Sequence, residues 1–545
     1  MPVCDVADSI SSENEGIPRA VDAAPPGDDA LLESLGYKQE LKRTFTPLEL
    51  FGVGFSIIGL FPSISAVLVY SLSNGGPVAM IWGWAVCVFG LMAIALCIAE
   101  LGSAAPTSGG LYYWTYVYSS PRYRNILSWI VGYSNTIGNI ASVASVEWGF
   151  SQQLMAAISI GSDLTFAATT AQTFGVYTAV LFVHAVACSV AVKYIARLQK
   201  LYTALNALLC IVIIIALPAA TPAEFRNTKG YVFGHFENPS GWPDGFAFVL
   251  SFLAPLWAIG AFDASVHISE EATNARIAVP YATLSATATA SVLGWGILIA
   301  VAFNMGTDLQ AILSSPIQQP MAAILFNSFG KHGTLAVWVF VVIAQFIMGL
   351  DMLLVCSRQI FAFSRDGALP LSSLLRSVHP RTHTPICAVW GAALLALALA
   401  LLAFAGAGAI SAVFALVVAG QYVAYAIPIS ARLVRRHTSQ LPRGPFALGR
   451  FSLPAAVAAL LFMAFVLVVF MFPASPAPTS AGMNYTVVVW GGTIVLSLVY
   501  YAFPRYGGRH WFKGPVSTLR ERDGAESGES GERGGEEEEK IGRGY

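Results

Sequence analysis

Long apolar runs dominate the chain, and each is close to the roughly 20 residues that a helix needs to cross the hydrocarbon core of a bilayer. Short segments rich in glycine, proline and charged residues separate these runs. Because a membrane barrel would show shorter stretches of alternating polarity, the pattern predicts spanning helices. Twelve spans are predicted, at residues 47–70, 78–99, 126–158, 174–192, 201–219, 245–268, 281–303, 334–361, 386–404, 410–429, 451–472 and 485–503.

The composition agrees with an all-α polytopic membrane protein. Of the 545 residues, 56% are hydrophobic and only 11% are charged, whereas a soluble protein is roughly a quarter charged. This excludes a water-soluble globular fold and, for most of the chain, disorder. The near balance of 30 basic and 31 acidic residues gives no reason to expect a nucleic-acid partner. The expected surroundings are the lipid bilayer.

The basic residues predict the orientation of the spans. With both termini in the cytoplasm, all but three of the 30 lysines and arginines lie on the inner side, the exceptions being Arg226, Lys229 and Lys331. Because Lys and Arg near span ends favour the cytoplasmic side, this bias supports twelve spans with both termini cytoplasmic. Residues 1–46 and 504–545 are then cytoplasmic tails, the second of them predicted to be disordered.

Two spans carry helix breakers in matching places, and this indicates a binding site. Span one reads GVGFSIIG over 52–59, and span six reads PLWAIGAFD over 255–263. An interrupted helix at membrane depth frees backbone N–H and C=O groups that can bind the charged groups of a substrate. Glycines that only permit close helix packing are the alternative. The predicted substrate-binding residues of the two breaks are Gly54, Phe55, Ser56, Gly59, Gly260, Ala261, Phe262 and Asp263.

Span three adds two polar residues to this predicted site. Asn135 and Asn139 are spaced to share one face of a helix. They are therefore included as substrate-binding candidates. Polar contacts that only hold neighbouring helices together remain the alternative interpretation.

Three acidic residues fall at membrane depth and are the candidates for proton coupling. Glu147, Asp263 and Asp351 lie within spans three, six and eight. A buried acid must be protonated, paired or next to a cation, so these residues suit a proton or a substrate with an ammonium group. A neutral structural carboxylic acid is the alternative for each, and Glu147 could instead face water near the outer interface. His184 and His267 each look isolated, which favours structural roles.

Motifs for other functions are absent from the sequence. It contains no phosphate-binding loop, no dinucleotide fingerprint, no zinc-protease helix and no serine-hydrolase elbow. The chain is therefore predicted not to be an enzyme, and no cofactor, metal or ATP is expected.

Three segments resemble signatures of the amino acid–polyamine–organocation superfamily. They read GSAAPTSGGLYYW over 102–114, SEEATNAR over 269–276 and SRQIFAFSRDGALP over 357–370. The resemblance extends over 46–503. Together with NGGP at 74–77 and GAFDASVH at 260–267, it is most similar to the fungal amino acid/choline transporter branch, which includes GABA permeases and choline transporters.

The resemblance implies a LeuT-type fold with broken helices one and six. Two inverted repeats of five helices, at 47–219 and 245–429, would be followed by two further helices at 451–503, and spans one and six would line the substrate site. The sodium-site Ser or Thr of many relatives is absent from span eight, which carries Asp351, so no sodium site is expected. Span five also lacks the Lys of some proton-coupled relatives, and Asn206 is its most polar residue.

Charged residues within these signatures are predicted to latch an inner gate through ion pairs. Anchoring at the membrane interface is the alternative, because exposed pairs contribute only about 0–1 kcal/mol. The inner-gate candidates are Glu100, Glu270, Glu271, Arg276, Arg358 and Arg365.

The sequence and the resemblance together predict a secondary active transporter. It would use a proton gradient to take up an amino acid, or a γ-amino acid such as GABA, by alternating access. A choline or polyamine transporter is the alternative, and a nutrient receptor that binds without transport is a more remote one. The plasma membrane is the expected location, with the vacuolar membrane as the alternative, and the sequence indicates no oligomeric state.

Overall fold

The computed structural model describes residues 27–435, 443–479 and 482–519, and each of the twelve predicted spans has a helical counterpart in it. Nine of these helices, among the residues described, are long and apolar enough to cross a membrane. Spans six and twelve are shorter, and span three is long but more polar. The spans are Pro47–Leu72, Gly76–Ala104, Arg124–Gly161, Thr170–Val190, Val192–Ala220, Asp244–Ala258 with Ala264–His267, Ala275–Phe303, Pro320–Arg365, Ile386–Ala405, Gly408–Val434, Gly449–Val469 and Thr486–Ala502.

The helices of spans five and eight begin furthest before their predicted first residues. Span five is helical from Val192 rather than from residue 201, which brings Gln199 into the helix. The helix of span eight begins at Pro320, but Gly330 has φ 65° and ψ −175°, so a short preceding helix ends there and the span proper follows. Polar and basic residues in the first turns of span five explain why an apolar window misses them. In span eight, the sequence GKHG at 330–333 interrupts the apolar pattern.

The predicted break in span one is present at Gly59. The inner half, Pro47–Ile58, ends at this residue, and the outer half, Leu60–Leu72, begins after it. Gly59 has φ 46° and ψ 55°, a left-handed conformation that glycine adopts without a steric cost. A Cβ at this position would lie 2.7 Å from Sδ of Met348, so span eight also approaches closely here.

The predicted break in span six is longer. The helix Leu253–Ala258 ends before Gly260, and the short helix Ala264–His267 follows. Between them Ala261 has φ 59°. A non-glycine residue in this left-handed region costs roughly 1–2 kcal/mol, and such strain is concentrated at functional sites.

The segments next to the two chain ends lie on one face of the helical bundle. The backbone N–H of Thr518 donates to the carbonyl oxygen of Gly36 at 2.9 Å, and its side-chain oxygen accepts from the N–H of Lys38 at 2.7 Å. We call this side the inner face, following the charge bias of the sequence. The described ends therefore share one side, as the predicted topology requires.

The first part of the C-terminal tail is ordered, in contrast to the disorder predicted for 504–545. It contains the helix Gly508–Trp511, and Phe512 is buried. The rings of Trp511 and Phe512 pack against Trp129 of span three, with centroids 5.8 and 5.2 Å away. Aromatic burial orders this segment despite its basic composition. Residues 1–26 and 520–545 lie outside the described residues.

Candidate functional site

Two small cavities lie on either side of the unwound part of span six, and Gly260 and Ala261 line both of them. Each has room for about one water molecule, so a substrate of several heavy atoms requires the neighbouring helices to move apart. The first, of about 10 Å³, faces spans one and seven, and its lining includes Gly54, Phe262, Ser265, Thr283 and Thr287. The second, of about 20 Å³, faces spans three, eight and ten, and its lining includes Ser142, Trp257, Met348, Met352 and Val417.

The backbone supplies opposite partial charges beside these cavities. The outer half of span one, Leu60–Leu72, presents its first N–H groups at Gly59, where a helix carries partial positive charge. The helix Leu253–Ala258 ends with its carbonyl groups beside Gly260, where the partial charge is negative. A Cβ at Gly260 would lie 3.2 Å from the carbonyl oxygens of Leu256 and Trp257, so glycine leaves these acceptors accessible. The arrangement suits a molecule with an anionic and a cationic end.

The predicted residues of span one divide between this site and its supports. Gly54 lines the first cavity, and Gly59 makes the break. Ser56 instead donates its hydroxyl hydrogen to Asp351 of span eight. The carbonyl oxygen of Phe55 accepts from Nδ2 of Asn206 at 3.4 Å. Phe55 and Ser56 therefore hold the broken span in place rather than lining either cavity.

Asp263 does not line either cavity, because its carboxyl group is bonded to the protein. Its Oδ1 accepts from the hydroxyl of Tyr425 at 2.8 Å. Its Oδ2 accepts from Nδ2 of Asn135 at 2.7 Å and lies 3.0 Å from Nε2 of His267. Asp263 is fully buried. It therefore connects spans three, six and ten and, in this conformation, is not open to a substrate ammonium group.

Asn139 differs from Asn135, its neighbour one turn away on span three. Its side chain is fully buried, and among the described residues neither its Nδ2 nor its Oδ1 has a hydrogen-bond partner. An unsatisfied buried amide costs about 1–3 kcal/mol. The amide of Asn139 is therefore unpaired and able to bond to a ligand, although it lines neither cavity in this conformation.

Asp351 lies where spans one, five and eight meet. It accepts from the hydroxyl of Ser56 and from Nε2 of Gln199, the latter at 2.7 Å. No lysine, arginine or histidine pairs with it among the residues described. Neutral donors surround this buried carboxyl group, which suits a group that can carry a proton. The sequence missed Gln199 because the predicted span five began after it.

Glu147 is buried, so the expectation that it could face water at the outer interface is wrong. Its Oε1 lies 2.5 Å from Nδ1 of His184 on span four, and both side chains have no exposure to solvent. A Cβ at Gly349 of span eight would come within 2.7 Å of the same carboxyl oxygen, so glycine makes room for it. The expectation that the two histidines are isolated is also wrong, since His267 contacts Asp263. Its spacing of four residues from that acid was a signal in the sequence.

Four of the six predicted gate residues form two buried ion pairs on the inner face. Arg365 donates from both Nη atoms to Glu270, each at 2.9 Å, and Arg358 donates from Nε to Glu271 at 2.6 Å. Burial raises the pKa of Glu270, but the charge and hydrogen bonds of Arg365 together with the hydrogen bonds of Ser108 outweigh burial and hold that pKa below its usual value. We call these two pairs the inner latch. They are buried, so the weak energetics of exposed pairs do not apply.

The other two gate candidates lie outside the latch. Glu100 pairs with Arg432 of span ten at 2.7 Å. Arg276 donates to the carbonyl oxygens of Ser103 and Arg443, at 3.4 and 2.9 Å, rather than to an acid. Both residues therefore tie inner loops to helix ends without joining the two latch pairs.

Three aromatic rings close the site on its outer side. Phe414 of span ten lies between Trp257 and Tyr70, with ring centroids 5.1 and 5.9 Å away. Beyond them is a wider cavity of about 270 Å³, lined by residues that include Tyr70 and Asn74. With the latch on the other side, the site is closed towards both faces.

Comparison with known proteins gives a consistent result. The chain matches the family model described as amino acid permease over residues 45–493. It is 36% identical to an uncharacterised amino-acid permease of Schizosaccharomyces pombe, over 91% of this chain and 89% of that protein. It is also 36% identical to the GABA-specific permease of Saccharomyces cerevisiae, over 93% and 89%. An amino-acid permease of Arabidopsis thaliana is 32% identical, over 90% and 96%.

Proposed function

The chain belongs to the amino acid permease family, and from this premise we propose that it is a proton-coupled importer of a γ-amino acid such as GABA. It is a multi-pass membrane transporter for amino acids, and its relatives are permeases rather than enzymes. The observation that carries the finer proposal is the pair of helix ends at Gly59 and Gly260, since Ile58 and Gly260 line the same small cavity. Import would run from the outer to the inner face of the plasma membrane.

The two helix ends favour a zwitterionic substrate. A carboxylate is stabilised by the N–H groups that begin the helix after Gly59, and an ammonium group by the carbonyl oxygens before Gly260. Apolar residues such as Met348 and Val417 line the space beside them. They suit an aliphatic chain without a further charge. The name of the S. cerevisiae relative supports GABA as the first compound to test.

Choline or a polyamine is the second candidate, and the site supports it less well. A quaternary ammonium ion is recognised by several aromatic faces. Phe262 lines one cavity and Trp257 the other, on opposite sides of the break. Choline also has no carboxylate for the N–H groups at Gly59. A receptor that binds without transport would show no accumulation at all.

Proton coupling is supported by the buried acids of spans six and eight. Asp351 has only neutral donors among the described residues, and Asp263 contacts an imidazole that can share its proton. Ionising a carboxyl group in such surroundings is costly unless a proton or cation compensates. An inward proton gradient would therefore load these sites from the outer side. No ATP or sodium ion is needed in this proposal.

Purified protein in proteoliposomes provides the test. We expect labelled GABA to accumulate when the interior is made alkaline, and a protonophore to abolish the accumulation. Unlabelled γ-amino acids should compete, and choline should not. Accumulation driven by sodium but not by protons would contradict the coupling, and competition by choline but not by GABA would contradict the substrate. Binding without accumulation would indicate a receptor.

A further inference from the structure

Both ring nitrogens of His267 contact oxygen atoms. Nδ1 lies 2.8 Å from the carbonyl oxygen of Ser108, in the loop after span two. Nε2 lies 3.0 Å from Oδ2 of Asp263. The imidazole is buried, with 1% of its surface exposed. These two oxygens therefore determine which of its nitrogens carry hydrogen.

Hydrogen-bond chemistry assigns one exchangeable proton to this arrangement. A carbonyl oxygen only accepts, so Nδ1 carries a hydrogen. Nε2 then either donates to an ionised Asp263 or accepts from a protonated one. Both arrangements hold one proton more than a neutral histidine beside an ionised carboxylate. Without that proton, two acceptors must face each other at Ser108 or at Asp263, which costs about 1–3 kcal/mol for a buried group.

The loop at Ser108 is also held from its other side. The N–H of Ser108 donates to Oε1 of Glu270 at 2.9 Å, and the same carboxylate binds Arg365 of the inner latch. The loop lies directly on the last turn of span six, since a Cβ at Gly110 would come within 2.5 Å of Val266. Continuous contacts thus run from Asp263 at the break to the ion pair at the inner face.

We propose that Asp263 and His267 together hold the coupled proton, and that its release to the inner side frees the loop at Ser108 so that the inner face can open. The inference rests on the proposed function and deepens it by placing the proton. When the proton leaves for the inner solution, the histidine can no longer donate to both oxygens. The contact with Ser108 weakens, and the loop then keeps only its hydrogen bond to Glu270 of the inner latch. The pair accepts a new proton when the site next faces outwards.

Few other ionisable groups border the pair. Tyr425 of span ten donates a hydrogen bond to Asp263, and Cys356 of span eight interacts electrostatically with the carboxyl group of Asp263. Through Ser108, the pair is connected to the ion pair of Glu270 and Arg365. Asp351 contacts Ser56 and Gln199 instead, so its protonation does not act directly on the loop.

A cysteine at position 108 reports on the loop. Ser108→Cys changes the side chain by one atom and keeps the backbone groups that bond to His267 and Glu270. The position is fully buried while the loop is held. Cys4 and Cys387 are replaced by Ser, because the remaining cysteines are buried. Labelling by an impermeant thiol reagent is measured from the inner side at several pH values, relative to the unfolded chain at the same pH.

Two substitutions separate the two contacts of the histidine. The amide of Asn reaches the place of Nδ1, so His267→Asn can still donate to Ser108 but does not reach Asp263. The amide of Gln reaches the place of Nε2, so His267→Gln retains the contact with Asp263 but loses Ser108. We expect slow labelling of the Asn variant and fast labelling of the Gln variant, both independent of pH. With His267 present, labelling should change from slow to fast as pH rises, by up to about tenfold per pH unit for one proton.

The pH dependence of labelling decides whether His267 carries the switch. Labelling with His267 present that does not change with pH would remove the proton switch. The proposal is also overturned if labelling of both His267 variants still changes with pH while Asp351→Asn abolishes that change, because the proton would then reside on Asp351. His184→Gln alters the other buried acid–histidine pair and should leave the change intact. The assay uses neither substrate nor gradient, so its failure is distinct from a failure of GABA uptake.

Discussion

Arg365 is the residue on which closure of the inner face depends most. Its guanidinium group makes two hydrogen bonds to Glu270 and lies over the ring of Tyr37, 4.1 Å from the ring centroid. The side chains of the ion pair are 4% and 0% exposed. Removing one partner of a buried ion pair costs about 3–5 kcal/mol, because the other charge is left without compensation. Since about 1.4 kcal/mol is a factor of ten, Arg365→Gln should shift the closed–open equilibrium of the inner face by roughly 100–4000-fold.

The cysteine at position 108 measures this shift under the same conditions. At acidic pH, where the loop is held, Arg365→Gln should raise the labelling rate by about 100-fold or more. Arg432→Gln is the matched control, because it breaks the pair with Glu100, in which the arginine side chain is 27% exposed and lies outside the latch. Partly exposed pairs contribute about 1 kcal/mol or less, so its effect should stay within a few-fold.

A double substitution tests whether the unpaired charge causes the effect. Replacing both Glu270 and Arg365 by Gln leaves no charge without a partner, so labelling should fall below that of Arg365→Gln alone. If Arg365→Gln labels no faster than Arg432→Gln, closure of the inner face does not depend on this ion pair.

Three further predictions concern the site and the C-terminal tail. Gly54→Ala should retain uptake, because the new Cβ would lie at an ordinary contact distance of 3.6 Å from Cβ of Ala286. Gly54→Leu fills the cavity and should reduce uptake at least tenfold at equal protein level. Equal uptake by the two variants would mean that the substrate binds elsewhere. Asn139→Ala should raise KM about tenfold, because it removes a hydrogen bond to the ligand worth about 1.4 kcal/mol, and should change kcat little. A fall in kcat with KM unchanged would argue against a binding role for Asn139. Burial raises the pKa of Asp366, which accepts from Tyr37, Tyr112 and Val516, to about 6 despite the opposing charge of Arg365. The docked form therefore binds the proton more tightly than a solvated carboxyl group, and docking of the tail weakens as pH rises from about 4 to 6, by at most about 3 kcal/mol. Hydrogen exchange at 508–516, corrected for its intrinsic pH dependence, should increase over that range and lose the increase in Asp366→Asn.

The breaks and the spans could be predicted because their signals are local. Runs of apolar residues locate the helices, and the glycines within 52–59 and 255–263 mark possible breaks. A break at membrane depth frees backbone groups that need other partners, which indicates a binding site. Among the residues so predicted, Gly260 and Ala261 line both cavities, and Gly54 and Phe262 line the first. The sequence predicts that Asp263 lies at the break, but it does not show that Asn135 and Tyr425 donate hydrogen bonds to its carboxyl group.

The remaining parts of the site depend on contacts between distant segments. Gln199 and Asp351 meet only because spans five and eight pack together, and Glu147 is buried because span four covers it with His184. Charge and motif alone predicted the latch residues, but not which of them pair or that the pairs are buried. The spacing of Asp263 and His267 is the one local signal that a sequence reading could have used, since residues four apart share a helix face.

Proton entry driven by GABA is the property that distinguishes a proton-coupled importer from an uncoupled one. Proteoliposomes that contain the protein and an internal pH indicator are given GABA on the outside, with membrane potential clamped and no initial pH gradient. We expect acidification of the interior that saturates with GABA, is abolished in His267→Asn, and is preserved in His184→Gln. GABA uptake without any internal acidification would contradict proton coupling.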